Sequence, residues 1–457
     1  MSFMIFSTTL ANCAIVGVTL PFTMVYLLFL LSIPLLLITF QSGSIRMIVI
    51  ISGAYLTLGG ADTGLTTTKS LFMLLFVVCS GLAAIALYHG DPPSSHNLLV
   101  LTTLSLLYLM GTLLTSIHFH YTITSWIRTI LPISITIVAP MIGYTSRKHT
   151  SHTSVKTIVI FFAILSTIAT LSRWAESRGI LSLPLPIHLL PSSWPAVVFL
   201  CYFFSNSLFS TTRSHSYILP ASIIGALLLS GTRGRFMLFF GMIMGLVIGG
   251  LYWRSANARV ISAIRPLVIV LILSVTTILI LGNLGVVNTN ILTNRYSTIL
   301  TLDLTSAQDE SANLRQIQFE RAWSDFSESP LFGKGPAYSI EFMTKTPRGL
   351  WETSSINDTP AAFLAHFGIA GVAFAIAYVV RIIRWLHILK LSPVDQSFLV
   401  SFGLSVLFYA PFVDLSTDKG IGVAVALAVA LVASRERSDE LPGNRPFRQH
   451  HPSGDAL

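Results

Sequence analysis

In its first 282 residues this chain carries three carboxylates, Asp62, Asp91 and Glu176, set among apolar runs long enough to cross a bilayer. A spanning helix needs about 20 apolar residues. In hydrocarbon every backbone amide must pair within its own segment, so such runs can only be helices. They recur near 4–20, 21–40, 45–60, 71–89, 97–116, 128–145, 155–171, 194–210, 215–230, 235–252, 266–284, 361–380, 396–413 and 420–434. Pro21 separates the first two, which read as one kinked or re-entrant unit. The expectation is an all-α, polytopic transmembrane bundle of 12–14 spans. Composition agrees: 53% of residues are hydrophobic and 10% charged, against about 25% charged in soluble domains.

The basic residues set an orientation. Arg147, Lys148 and Lys156 flank one gap, Arg254, Arg259 and Arg265 another, and Arg381, Arg384 and Lys390 a third. Arg435, Arg437, Arg445 and Arg448 fill the tail. Positive loops stay in the cytoplasm, so both termini are expected there, in a multi-pass protein of the cytoplasmic membrane. The net charge of +9 is spread over helix ends, which suits anionic headgroups and excludes a nucleic-acid surface. Cys13, Cys79 and Cys201 lie in apolar runs and read as buried thiols. Apolar sequence starts almost at Met1 without a basic stretch or cleavage site, so the first segment reads as a retained span.

The character changes at about Val286. Nine of the nineteen carboxylates fall between there and Pro360: Asp303, Asp309, Glu310, Glu320, Asp325, Glu328, Glu341, Glu352 and Asp358. Four parts follow: an N-terminal bundle 1–285, a large extracytoplasmic loop 286–360, C-terminal helices 361–434 and a disordered tail 435–457. Within the loop, Ser311 to Ser327 repeats apolar residues at helical spacing, with Arg315, Phe319, Ala322, Trp323 and Phe326 on one stripe. Pro330 stops this helix and a Gly333-Lys334-Gly335-Pro336 turn follows. Arg321 and Asp325, spaced i,i+4, read as a surface ion pair.

Arg233 and Arg235 are the anomalous charges. They sit in Ser230-Gly231-Thr232-Arg233-Gly234-Arg235, on the outside by the alternation above. Two guanidiniums beside the free amides of a helix start suit a phosphate or pyrophosphate; a pair snorkelling to ordinary lipid headgroups is the other reading. Trp323 and Trp351 could stack on sugar rings or pack the loop on the membrane interface. Neither an Asp-x-Asp nor a histidine cluster marks a metal site, and no cofactor is expected.

The Ser-Gly-Thr-Arg-Gly-Arg turn resembles the Ser-Arg-Gly turn of the O-antigen ligase and O-antigen polymerase superfamily. The same family carries an Arg and a Trp-containing helix in a large outside loop, a Pro-Leu-Phe-Gly-x-Gly turn, and a Gly-x-x-Gly span. Arg315, Trp323, Pro330-Leu331-Phe332-Gly333-Lys334-Gly335 and Gly368-Ile369-Ala370-Gly371 follow in that order, and the motifs cover about residues 215–385. The resemblance implies a metal-independent glycosyltransferase, polymerase or ligase, with polymerase slightly favoured because the histidine of the ligases is absent. Its donor would be an undecaprenyl-diphosphate-linked glycan on the outer membrane face and its acceptor a glycan or lipid. A chain-length regulator or flippase is the protein partner it suggests. Arg233 matches the turn arginine that holds the diphosphate, and Arg315 the loop arginine. Ligases of the family place a His-Asn pair where this chain has Asn357 and Asp358. Asp358 is therefore the first candidate base, expected to stay ionised at the start of the next span; Glu320 and His366 are the others. A transporter or flippase for a lipid-linked saccharide is the rival class.

Overall fold

A computed structural model describes residues 80–88, 93–146, 150–177, 193–209, 217–230, 233–253, 260–283, 310–343, 350–353, 358–389, 391–412 and 419–440, with 285 and 415. The expected spans before residue 80, with Cys13 and Cys79, lie outside them, as do Asn357 and the tail from 441 to 457. Helices run Pro93–His118 (α1), Ile123–Ser146 (α2), His152–Ser177 (α3), Trp194–Phe209 (α4), Ile218–Leu229 (α5), Arg233–Trp253 (α6) and Val260–Asn283 (α7). The loop contributes Glu310–Glu328 (α8) and a hairpin of Ile340–Met343 (β1) and Leu350–Thr353 (β2). Thr359–Ile388 (α9), Pro393–Tyr409 (α10), a 3-10 turn Ala410–Phe412 and Lys419–Glu440 (α11) complete the order.

This is the all-α polytopic bundle, with a short antiparallel ladder added in the loop (Ile340 opposite Thr353, Met343 opposite Leu350). Among the described residues five segments are long and apolar enough to cross a membrane: His96–His118, Ser125–Ser146, His152–Ser172, Gly234–Tyr252 and Thr359–Ile388. The chain is an integral membrane protein. α11 continues through Glu440, so its last turns occupy residues that composition assigned to the tail.

Small residues set the closest helix pair. α6 presents Gly241, Gly245 and Gly249 every fourth residue to Ser397, Ser401 and Leu404 of α10; a Cβ at Gly245 would stand 2.4 Å from Ser401 Cα. Lipid tails give helices little hydrophobic reason to associate, so backbone proximity of this kind carries the packing. The buried core joins α3, α4, α6, α10 and α11 around Trp194, Phe398 and Leu427.

The sharpest feature is a break inside α9. Gly368 adopts φ 63°, ψ −165°, a region closed to residues with a Cβ. The break frees backbone groups that lipid could not satisfy, and the Pro330–Gly335 turn satisfies them. The Lys334 and Gly335 amides donate to the Ala365 and His366 carbonyls at 2.8 and 3.0 Å. In return the Ile369 and Ala370 amides donate to the Pro330 and Leu331 carbonyls at 2.9 and 3.0 Å. Two separated sequence motifs are thus two halves of one joint. Their contact admits no side chain: a Cβ at Gly333 would lie 2.5 Å from the His366 carbonyl carbon, and one at Gly368 would lie 2.5 Å from the Leu331 carbonyl.

Gly333→Ala and Gly368→Ala should each cost about 1–2 kcal/mol in left-handed strain plus about 1–3 kcal/mol in overpacking. Gly403→Ala, whose added Cβ would meet nothing within 4 Å, should be neutral. Thermal unfolding of the detergent-purified variants checks the contrast.

Candidate functional site

The site begins at the junction of loop and membrane. Asp358 has extended backbone and caps α9, accepting the Ala361 amide at 2.9 Å, with Pro360 in the first turn. The free amides of a helix start favour an anion there. The ionised state nevertheless does not gain overall: burial raises the Asp358 carboxyl above its ordinary value of 3.8, outweighing the Ala361 hydrogen bond and the Arg315 guanidinium, which both lower it. Desolvation at this half-buried junction therefore acts against the helix-start amides that were expected to favour the carboxylate.

Arg315, on the first half of α8, shares this electrostatic neighbourhood and lies over the Phe412 ring, 5.7 Å from its centroid. Phe412 also meets the arginine-rich turn. A Cβ at Gly234 would stand 2.7 Å from the Tyr409 ring and 3.1 Å from Phe412 Cβ. Three residues further on, the Leu415 amide donates to Thr359 Oγ1 at 3.0 Å, beside Asp358. The segment after α10 therefore gathers the start of α6, Arg315 and the cap of α9. Sequence reasoning missed this segment by reading 396–413 as a plain span. Pro411, followed by the acids Asp414 and Asp418, was the available signal.

Of the other candidates, Glu320, Trp323 and His366 stand apart. Arg233 opens α6 and Arg235, half buried, follows on its first turn. Glu320 is exposed and accepts from Gln316 Nε2 at 2.9 Å on its own helix. Trp323 is 52% exposed and stacked on Phe319, centroids 6.4 Å apart. The aromatic stripe thus faces outward, and α8 buries Gln318, Ala322 and Asp325 instead. His366 is fully buried, two turns beyond Asp358, with its ring edge-on to Tyr338 at 6.3 Å. Neither of its ring nitrogens has a hydrogen-bond partner among the described residues. Asn357 is outside them.

Asp325 is no surface residue: its side chain is 2% exposed, against 50% for Arg321, whose Nε lies 3.5 Å away. The Tyr338 hydroxyl donates to Asp325, and burial together with that carboxylate holds the phenol protonated. Asp325 so ties α8 to the strand-side loop, and Tyr338 in turn packs against α9. On the exposed flank Lys334 pairs with Glu328, depressing the Glu328 carboxyl, and lies 5.9 Å from the Phe119 ring centroid.

Residues 218–379 match the family model described as O-antigen ligase. That interval contains the arginine turn, Arg315, the backbone joint and Asp358, and it supports the O-antigen ligase/polymerase superfamily. The curated proteins offered no match.

Asp325→Ala would leave the half-buried Tyr338 hydroxyl without this acceptor and should cost about 1–3 kcal/mol, whereas Asp325→Asn keeps an acceptor and should cost less. Thermal unfolding, with hydrogen exchange over 310–328, measures both.

Proposed function

We propose that this membrane enzyme transfers or polymerises saccharide carried on undecaprenyl diphosphate, on the outer face of the cytoplasmic membrane. The observation that carries this reading is the meeting of a guanidinium, a half-buried carboxyl and the arginine-rich turn around Phe412, at the mouth of the bundle. A lipid diphosphate is already a good leaving group, so the protein needs cations for the departing charge and a base for the acceptor. Arg315, with Arg233 and Arg235 from the turn, supplies the cations. Asp358 supplies the base, and its raised pKa makes it the stronger proton acceptor.

In the step itself the acceptor hydroxyl oxygen bonds to the anomeric carbon. The bond from that carbon to the diphosphate oxygen breaks, its electron pair leaves on the diphosphate, and the hydroxyl proton passes to Asp358. Polymerase is favoured over ligase because Asn357-Asp358 replaces the His-Asn pair of the ligases. A transporter would use a broken helix to expose backbone groups to its cargo. Here the break in α9 is filled by the chain's own turn, which weighs against that class.

Arg315→Ala should lower transfer about 10²-fold or more with the protein still inserted, and Arg315→Lys should recover little because bidentate phosphate contact is lost. Asp358→Asn caps as well as Asp but cannot take a proton, so glycan product should fall about 10²–10⁴-fold while stability holds or rises. The sign follows from the raised pKa: ionising Asp358 costs stability, so the wild type weakens relative to Asp358→Asn as pH rises through the folded-state pKa. Retained product in Asp358→Asn, measured with lipid-linked donor, would assign the base elsewhere. For orientation, a cysteine at Ser327 should label from outside intact cells, and one at Ser438 only after the membrane is breached.

A further inference from the structure

At the end of α9 remote from Asp358 a cavity opens, of about 360 Å³, lined by Asn97, Leu98, Leu101, Arg381, Arg384, Trp385 and Ile388. Arg381 lies 13 residues after the break at Gly368, roughly 20 Å along the second half of α9. The ten residues from Asp358 to the break add up to about 15 Å more, against about 30 Å for the hydrocarbon core. The cavity therefore belongs to the opposite leaflet from the loop domain. Its size is that of a small-molecule site.

Three properties of the lining point to one ligand chemistry. Arg381 and Arg384 are exposed, one turn apart, and neither has an ion-pair partner among the described residues. Trp385 is 3% exposed, and its indole Nε1 has no acceptor there. A buried donor left unpaired costs stability unless something outside the fold supplies the acceptor. Leu98 and Leu101 add apolar lining from α1, and exposed Leu104 of α1 and Ile376 of α9 continue that apolar surface toward the membrane middle.

We infer that this cavity binds an anionic phospholipid of the leaflet opposite the loop, its phosphate held by Arg381 and Arg384 and its chains laid along α1 and α9. Guanidiniums take phosphate oxygens bidentately, and basic pockets between spanning helices suit acidic headgroups. The tryptophan N–H gains an oxygen acceptor, and the Asn97 amide lines the space available to headgroup hydroxyls. Nothing in this assignment depends on glycosyl transfer at the other face. Its consequence is structural, since the lipid would join α1 to the far end of the helix that carries Asp358.

Full-length protein, delipidated in detergent, should be titrated with phosphatidylglycerol, with phosphatidylcholine of the same chains, and with inorganic phosphate, reading bound lipid by native mass spectrometry and melting temperature in parallel. Phosphatidylglycerol should remain bound and raise the melting temperature, and salt should weaken it. Arg381→Ala/Arg384→Ala should weaken it at least tenfold, Arg381→Lys/Arg384→Lys less, and Lys156→Ala not at all. Equal binding of phosphatidylcholine, an equal effect of inorganic phosphate, or unchanged affinity in the double alanine variant would each overturn the assignment. Should that variant fail to fold, salt-independent binding to the wild type would overturn it as well.

Discussion

Four backbone hydrogen bonds between the Pro330–Gly335 turn and the break at Gly368 hold the loop to the membrane. A broken helix leaves amides and carbonyls that lipid cannot pair, and a polar loop above a bilayer has no apolar floor of its own. Each problem is the other's remedy. Because the partners are main-chain atoms, the joint is indifferent to most side chains but requires none at Gly333 and Gly368.

The position of α8 follows from that joint. Once the turn is seated, Glu310–Glu328 lies against the first half of α9, with Ala322, Ile340, Ala361, Ala362 and Ala365 forming a small core. Asp325 and Tyr338 add a buried polar tie on the same side. Arg315 is thereby carried to the far end of α8, over Phe412 and within the field of Asp358. The geometry at the membrane mouth is the product of a lock placed elsewhere in the loop.

The opposite ends of α9 carry different chemistry. One end keeps a carboxyl half buried, with ionisation disfavoured by desolvation and partly restored by a guanidinium. The other carries two arginines that have no ion-pair partner among the described residues, beside the apolar Leu98 and Leu101. Arginines at one end of a span are the feature that favours the cytoplasmic side in membrane proteins generally, which agrees with the orientation proposed above.

Much of this was legible beforehand. The scarcity of carboxylates before residue 283 determined the helical bundle, because hydrocarbon permits no other fold for such runs. The period of Ser311–Ser327 and the Pro330 stop placed α8 to within a residue at each end, and Asp358-Thr359-Pro360 announced the next helix start. What periodicity could not supply was which face of α8 is buried. Phe319 and Trp323 were the apolar choice, yet Gln318 and Asp325 are the residues inside, because Tyr338 gives the carboxylate a partner that only the folded loop provides. Nor could sequence join the two glycine motifs, which lie more than thirty residues apart and meet through main-chain bonds carrying no side-chain signature. The environment that acts on the Asp358 carboxyl was decided by tertiary structure as well. Its place at a helix start could be read from the chain, but its burial depends on what the fold packs around it.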